Sequence, residues 1–132
     1  MRAALAEYGL VLDLALVQHG DFQREGGLRA AEALLAQPRP PTAIFAFSDE
    51  LAFGCLIALR QRRLRIPDDC SLVGFNDLPM AAYVDPPLTT VRVPMRAMEL
   101  VLAQRAGQSL PAWERVEAEL IERESVADVA GG

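Results

Sequence analysis

The chain has 132 residues, of which 52% are apolar and 23% charged, with a net charge of −5. This suffices for one modest domain with its own core and excludes a disordered chain. The acid excess leaves no basic face by which the chain itself would neutralise nucleic-acid phosphates.

In chain order, Met1 to Tyr8 has helical residues, and Gly9 is placed to cap them. A short strand is expected at Leu16–Gln18 in "ALVQHGDF". "QREGGLRAAEALLAQ" is an amphipathic helix with Leu28, Ala31, Leu34 and Leu35 on one face. "PRPP" ends it, and Thr42–Phe47 forms a second apolar strand. Ser48 or Asp49 then N-caps the helix "ELAFGCLIALRQRR". After the turn "LRIPDD" comes a third strand, "CSLVGFND", then a short helix "LPMAAYV". "DPPLTTVRV" is extended, since each proline biases the residue before it away from the helical region. "PMRAMELVLAQRAG" is a helix with Pro94 at its start and Gly107 at its end. "RVEAELIERESV" alternates charged and apolar residues and forms an edge strand. The tail from Ala127 to Gly132 is frayed.

Strand and helix alternate three times, and the strands are near-continuous apolar runs, as in sheets covered on both faces. This predicts an α/β fold of three layers with an open, mostly parallel sheet. Ligands of such sheets bind beyond the carboxyl ends of the strands. Those ends carry Gly20-Asp21-Phe22, Ser48-Asp49-Glu50 and Asn76-Asp77, three polar clusters on one rim.

Rim carboxylates suit a divalent cation or acid–base work. The rest of an enzyme is not in evidence. His19 is the one histidine, and no nucleophile elbow, dinucleotide fingerprint or phosphate loop follows a strand. No catalytic residue, metal ligand or cofactor is therefore expected. Cys55 and Cys70 sit in apolar runs without metal or redox spacing, and are expected to be small buried hydrophobes. Arg60, Arg62, Arg63 and Arg65 cluster where their charges face a helix C-terminus, the alternative being a nucleic-acid patch. The rim better fits a hydroxyl-rich small molecule: carboxylates accept hydroxyl protons, amides donate and accept, and an aromatic covers a sugar face. Phe22, Ser48, Asp49, Asn76 and Asp77 supply that set. Asp49 is alternatively a helix cap, and Asp77 alternatively caps the short helix from Leu78. The apolar runs are too short to span a bilayer, and "MRAALAEYG" is unlike a secretory signal, so a cytoplasmic protein is expected.

Residues 41 to 94, "PTAIFAFSDELAFGCLIALRQRRLRIPDDCSLVGFNDLPMAAYVDPPLTTVRVP", resemble the sensor region of LacI/GalR-type transcriptional regulators. The family pattern is P-T-A-[IV] into a strand, [NS]-D before a helix, G-[LI]-x-[IV]-P-x-D after it, [SI]-[LIV]-V-G-[FY]-[DN]-[DN], and P-P-[LI]-T-T-[IV]. With "VQHGDFQREGGLRAAEALLA" and "ELIERESV" the resemblance covers residues 1 to 126. It implies a type I periplasmic-binding-protein-like fold, with residues 1–89 and 115–125 in the C-terminal subdomain and 92–113 a remnant of the N-terminal one. It also implies a small-molecule effector, a sugar or related compound, a homodimer, and operator DNA gripped by a helix-turn-helix that lies outside this chain. By the same resemblance Phe22, Ser48 and Asn76 contact effector, and Asp49 and Asp77 support the site. Phe53, Ile57, Met80, Ala81 and Val84 match faces that pack across the dimer.

Departures from the family qualify these expectations. Asn76 stands where many members have Asp, Val93 where several have a polar contact, and an effector-binding arginine expected upstream is absent. The chain is expected to start inside the sensor. The helix Pro94–Ala106, with Met95, Met98, Val101 and Leu102, would then lack its packing surface, and effector binding would be weak. A transporter-type sugar-binding protein, which shares the fold, is the alternative origin.

Overall fold

The computed structural model describes residues 2–94, 102–103, 105–107 and 117–128. Helix α1 (Arg2–Glu7) is followed by a 3-10 turn at Leu14–Leu16, then α2 (Arg24–Leu35), β1 (Ala43–Phe45), α3 (Asp49–Gln61) and β2 (Ser71–Phe75). A second 3-10 turn at Pro79–Ala82 precedes β3 (Thr89–Arg92) and β4 (Glu119–Ile121). The strands form one sheet in the order β1-β2-β3-β4. β1, β2 and β3 are parallel, pairing Phe45 with Val73 and Phe75 with Val91. β4 closes the edge antiparallel to β3, pairing Leu120 with Val91.

α2 and α3 form for local reasons and are then held by packing. The Ser48 Oγ accepts the Leu51 N–H at 3.2 Å and so caps α3. Ala31, Leu34 and Leu35 of α2 are buried against the core, with Leu28 beside them, as the helical spacing predicts. α3 is buried along most of its length, from Ala52 to Leu59 with only Ile57 outside. Two glycines let α2 and α3 touch backbone to backbone. A Cβ at Gly27 would stand 2.1 Å from the Leu51 carbonyl oxygen, and one at Gly54 would stand 2.0 Å from the Arg24 carbonyl oxygen.

α1 and α3 end in the same way. Leu10 donates to Leu5 O while Gly9 donates to Ala6 O, and Leu64 donates to Leu59 O while Arg63 donates to Arg60 O. This pairing requires a left-handed residue at the turn, and φ is 69° at Gly9 and 58° at Arg63. Arg63 holds that conformation at the place where the family pattern has glycine.

The strand expected at Leu16–Gln18 does not form. Asp13 Oδ1 accepts the Ala15 N–H at 2.9 Å and Val17 donates to Leu14 O, which closes a turn instead of an extended run. The third parallel strand is instead β3, within the segment expected only to be extended. The edge strand is present as Glu119–Ile121. The expected helix Pro94–Ala106 lies largely outside the described residues, including Met95, Met98 and Val101, while Leu102 is exposed.

The arginine cluster is mostly tied into local pairs. Arg60 binds Asp85 at 2.9 Å, Arg65 binds Asp69 at 3.0 Å, and Arg62 donates to the Leu35 carbonyl at the end of α2. Both cysteines are buried and outside any disulfide. Burial, helped by the charge of Cys70 nearby, pushes the Cys55 thiol up to about 12. Burial alone pushes Cys70 up to about 11. Neither forms a thiolate near neutral pH, so both serve as packing. No described helix is long and apolar enough to cross a membrane.

Candidate functional site

The sheet register brings the rim residues together. Phe45 pairs with Val73 and Leu78 donates to Asp49 Oδ2 at 2.6 Å, so the segment after β1, with Ser48, and the turn after β2, with Asn76, leave the sheet at the same rim. Phe75 pairs with Val91, which sets Asn76 beside Arg92 at the end of β3. The starts of α2 and α3 share this rim. Arg24 of α2 binds Glu50 of α3 at 3.1 Å, and a Cβ at Gly20 would meet the Leu51 side chain at 2.7 Å. Phe22 therefore stands close to the head of α3. Phe22 is 62% exposed. Its backbone is left-handed, with φ of 58°.

The two acidic candidates face inward. Asp49 is fully buried. Its Oδ2 accepts the Leu78 N–H and its Oδ1 accepts the Thr90 hydroxyl, both at 2.6 Å. Gly74 makes room for this carboxylate, because a Cβ there would lie 2.2 Å from Asp49 Oδ1. Ser48, not Asp49, is the cap of α3. Asp49 joins the head of α3 to β3 and to the turn after β2.

Asp77 does not cap the short turn that follows it, since Leu78 holds that position without a side-chain hydrogen bond. Its carboxylate lies between two arginines. Arg92 Nη2 reaches Oδ2 at 2.7 Å and Arg123 Nη2 reaches Oδ1 at 2.7 Å. Arg92 also donates to Glu119 of β4 at 3.2 Å, and Arg123 to the Leu88 carbonyl at 2.7 Å. Sequence reasoning missed both arginines, and Thr90 as the partner of Asp49. For Thr90 and Arg92 the polar residues in "LTTVR" were the available signal.

Partial burial pushes the Asp77 carboxyl up, but the hydrogen bonds and charges of Arg123 and Arg92 outweigh it and hold the group below the usual carboxylate range. A depressed folded pKa contributes stability that is present above the unfolded value, near 4, and lost as pH falls through the folded one. Asp77→Asn should therefore lower the urea midpoint at pH 6, by about 2 kcal/mol in stability. The gap from wild type should close below about pH 4. A gap that stays constant down to pH 2.5 would show that the ion pairs contribute nothing.

Asn76 is exposed, and its side chain has no hydrogen-bond partner among the described residues. Among the described residues it is thus a polar group of the rim left free, whereas Ser48 is buried, its hydroxyl accepting from Leu51 and still having a proton to donate. No group of three His, Cys, Asp or Glu side chains suited to a metal occurs among the described residues.

The residues matched to a dimer face divide between core and surface. Phe53 and Ala81 are buried, Val84 is half-buried, and Ile57 and Met80 are exposed. Phe53, Ile57, Met80 and Val84 nevertheless line one concavity with Arg24, Arg60 and Tyr83. Ala81 lies in the core beneath it.

Residues 1–126 match the model of the periplasmic binding protein-like domain. The HTH-type transcriptional repressor CytR of Escherichia coli is 38% identical over 128 residues, covering 92% of this chain and 38% of CytR. The HTH-type transcriptional regulator reg1 of Streptomyces lividans is 42% identical over 132 residues, covering 96% of this chain and 38% of reg1. Among solved structures, the transcriptional regulator CelR in complex with cellobiose superposes with a TM-score of 0.81 at 34% identity, covering 94% of this chain and 40% of that one. The chain thus spans less than half the length of these relatives.

Proposed function

Because the chain belongs to the periplasmic binding protein-like domain family, as the sensor region of a LacI/GalR-type regulator, we propose that it is the effector-binding and dimerisation portion of a DNA-binding transcriptional regulator. The effector is a small hydroxyl-rich molecule, a sugar or a related compound. Operator DNA is bound by a helix-turn-helix outside residues 1–132, and the whole works in the cytoplasm without turnover of the effector. Residues 1–89 and 115–125 belong to one subdomain, and 92–113 to the second.

The observation that carries this reading is that the segments leaving β1 and β2, which carry Ser48 and Asn76, are neighbours joined by the Leu78 N–H to Asp49 hydrogen bond. Phe22 offers an exposed ring by the head of α3 for the apolar face of a sugar. Asn76 gives one donor and one acceptor where a carboxylate would only accept, which favours an effector that presents an acceptor to this position. The concavity of Phe53, Ile57, Met80 and Val84 supports a homodimer through α3 and the turn after β2.

The test is a titration of isotopically labelled chain with cellobiose, glucose and uridine, followed by amide chemical shifts. The rim is open to solvent, so the expected dissociation constant is on the order of 1 mM, or about −4 kcal/mol. At least one probe should shift Phe22, Ser48 and Asn76 together. If all three residues stay unmoved by every probe at 50 mM (about fifty times that constant), the reading fails. Sedimentation equilibrium of the same sample, with Met80→Arg as the monomeric control, tests the dimer.

A further inference from the structure

The turn that closes β2 is held at every backbone donor. Asn76 donates to the Val91 carbonyl at 2.8 Å, Asp77 to Thr90 Oγ1 at 3.4 Å, and Leu78 to Asp49 Oδ2 at 2.6 Å. Within this turn two successive non-glycine residues are left-handed, with φ of 102° at Asn76 and 51° at Asp77. Asn and Asp tolerate that region better than other residues, but a pair of them needs surroundings that impose it. The surroundings are those backbone hydrogen bonds and, beside them, the ion pairs of Asp77. Its side chain is 9% exposed, and the arginines reach it from two directions, Arg92 from β3 and Arg123 from just beyond β4. Arg92 is anchored in turn by Glu119, and Arg123 by the Leu88 carbonyl, so the carboxylate has little freedom to move. Once Asp77 is drawn inward, the left-handed backbone leaves Asn76 exposed on the rim.

We infer that Asp77 is a positioning residue for effector recognition: clamped by Arg92 and Arg123, it holds the left-handed turn that presents the Asn76 amide to the site. This rests on the reading of the rim as the effector site. Asp77 touches no effector and acts through Asn76. Since Arg92 and Arg123 belong to β3 and to the chain after β4, the same clamp ties the effector contact to an inner strand and to the edge strand beside it.

The experiment has two arms on the full chain. In the first, a crystal structure of Asp77→Asn shows the backbone at Asn76. The expected result is departure from the left-handed region, whereas an unchanged φ overturns the positioning role without reference to any effector. In the second, the best of cellobiose, glucose and uridine is titrated into wild type, Asp77→Asn, Asn76→Ala and the double variant. Asp77→Asn should weaken binding by about tenfold, and that loss should vanish when Asn76 is already Ala. Losses that multiply in the double variant overturn the proposal, because a merely structural role would not depend on Asn76. Arg92→Gln, which leaves Arg123 in place, should give an intermediate loss and serves if Asp77→Asn folds poorly. If wild type binds none of the probes, the effector reading is what fails, and the crystallographic arm still decides the role of Asp77.

Discussion

Gly54→Ala should lower the unfolding free energy by about 3 kcal/mol, through overpacking of an interface that has no room to give. The added methyl would lie 2.0 Å from the Arg24 carbonyl oxygen, 2.5 Å from the Leu28 nitrogen and 2.8 Å from the Gly27 carbonyl carbon. All three are backbone atoms of α2, so no side-chain rotation relieves the clash. α2 must move away from α3, and Ala31, Leu34 and Leu35 lose packing with it. Alanine's better helix propensity offsets about 1 kcal/mol of this, too little to reverse the sign. Gly9→Ala provides the contrast. Nothing lies within 4 Å of its Cβ position, so only its left-handed φ of 69° is at stake. That costs about 1 kcal/mol. Urea unfolding of both variants measures the difference. If Gly54→Ala is no less stable than Gly9→Ala, α2 and α3 do not meet at the described separation.

Asp49→Ala should be costlier still, by about 3–5 kcal/mol, because it strands buried partners. The Leu78 N–H and the Thr90 hydroxyl would each lose an acceptor at 2.6 Å, the first in a part-buried and the second in a buried place. The variant should also unfix the turn from Leu78 to Val84, which would appear as faster hydrogen exchange at Leu78 and Ala81. Asp49→Asn should cost less, since its amide oxygen still accepts one of the two hydrogen bonds. An Asp49→Ala chain as stable as wild type, with unchanged exchange at Leu78, would refute the clasp. Gly74→Ala should resemble Asp49→Ala, since its methyl would displace the same carboxylate.

These expectations differ in how far they could be foreseen. The cap at Ser48, the buried face of α2 and the left-handed Gly9 all follow from spacings of four residues or fewer, and such spacings are visible in the chain itself. The strand expected at Leu16–Gln18 failed because its apolar residues satisfy either an extended or a turned path. The side chain of Asp13 selected the turn. β3 succeeded as a strand because Val73 and Val91 flank a shared ladder, which no inspection of "LTTVR" alone could establish.

The sequence by itself determined the α/β alternation, the polar strand ends and the family pattern that runs from Pro41 to Pro94. Each is carried by local periodicity or by short motifs in a set order. Only the tertiary structure decided what the polar residues do. Asp49 meets Thr90 from 41 positions away and Asp77 meets Arg123 from 46 positions away. Those distant partners drew both carboxylates inward and left Asn76 and Ser48 at the rim. A carboxylate next to an amide is chemically ambiguous in a string of letters. Which of them faces solvent depends on the charges the fold places opposite, and here both arginines stand opposite the acid.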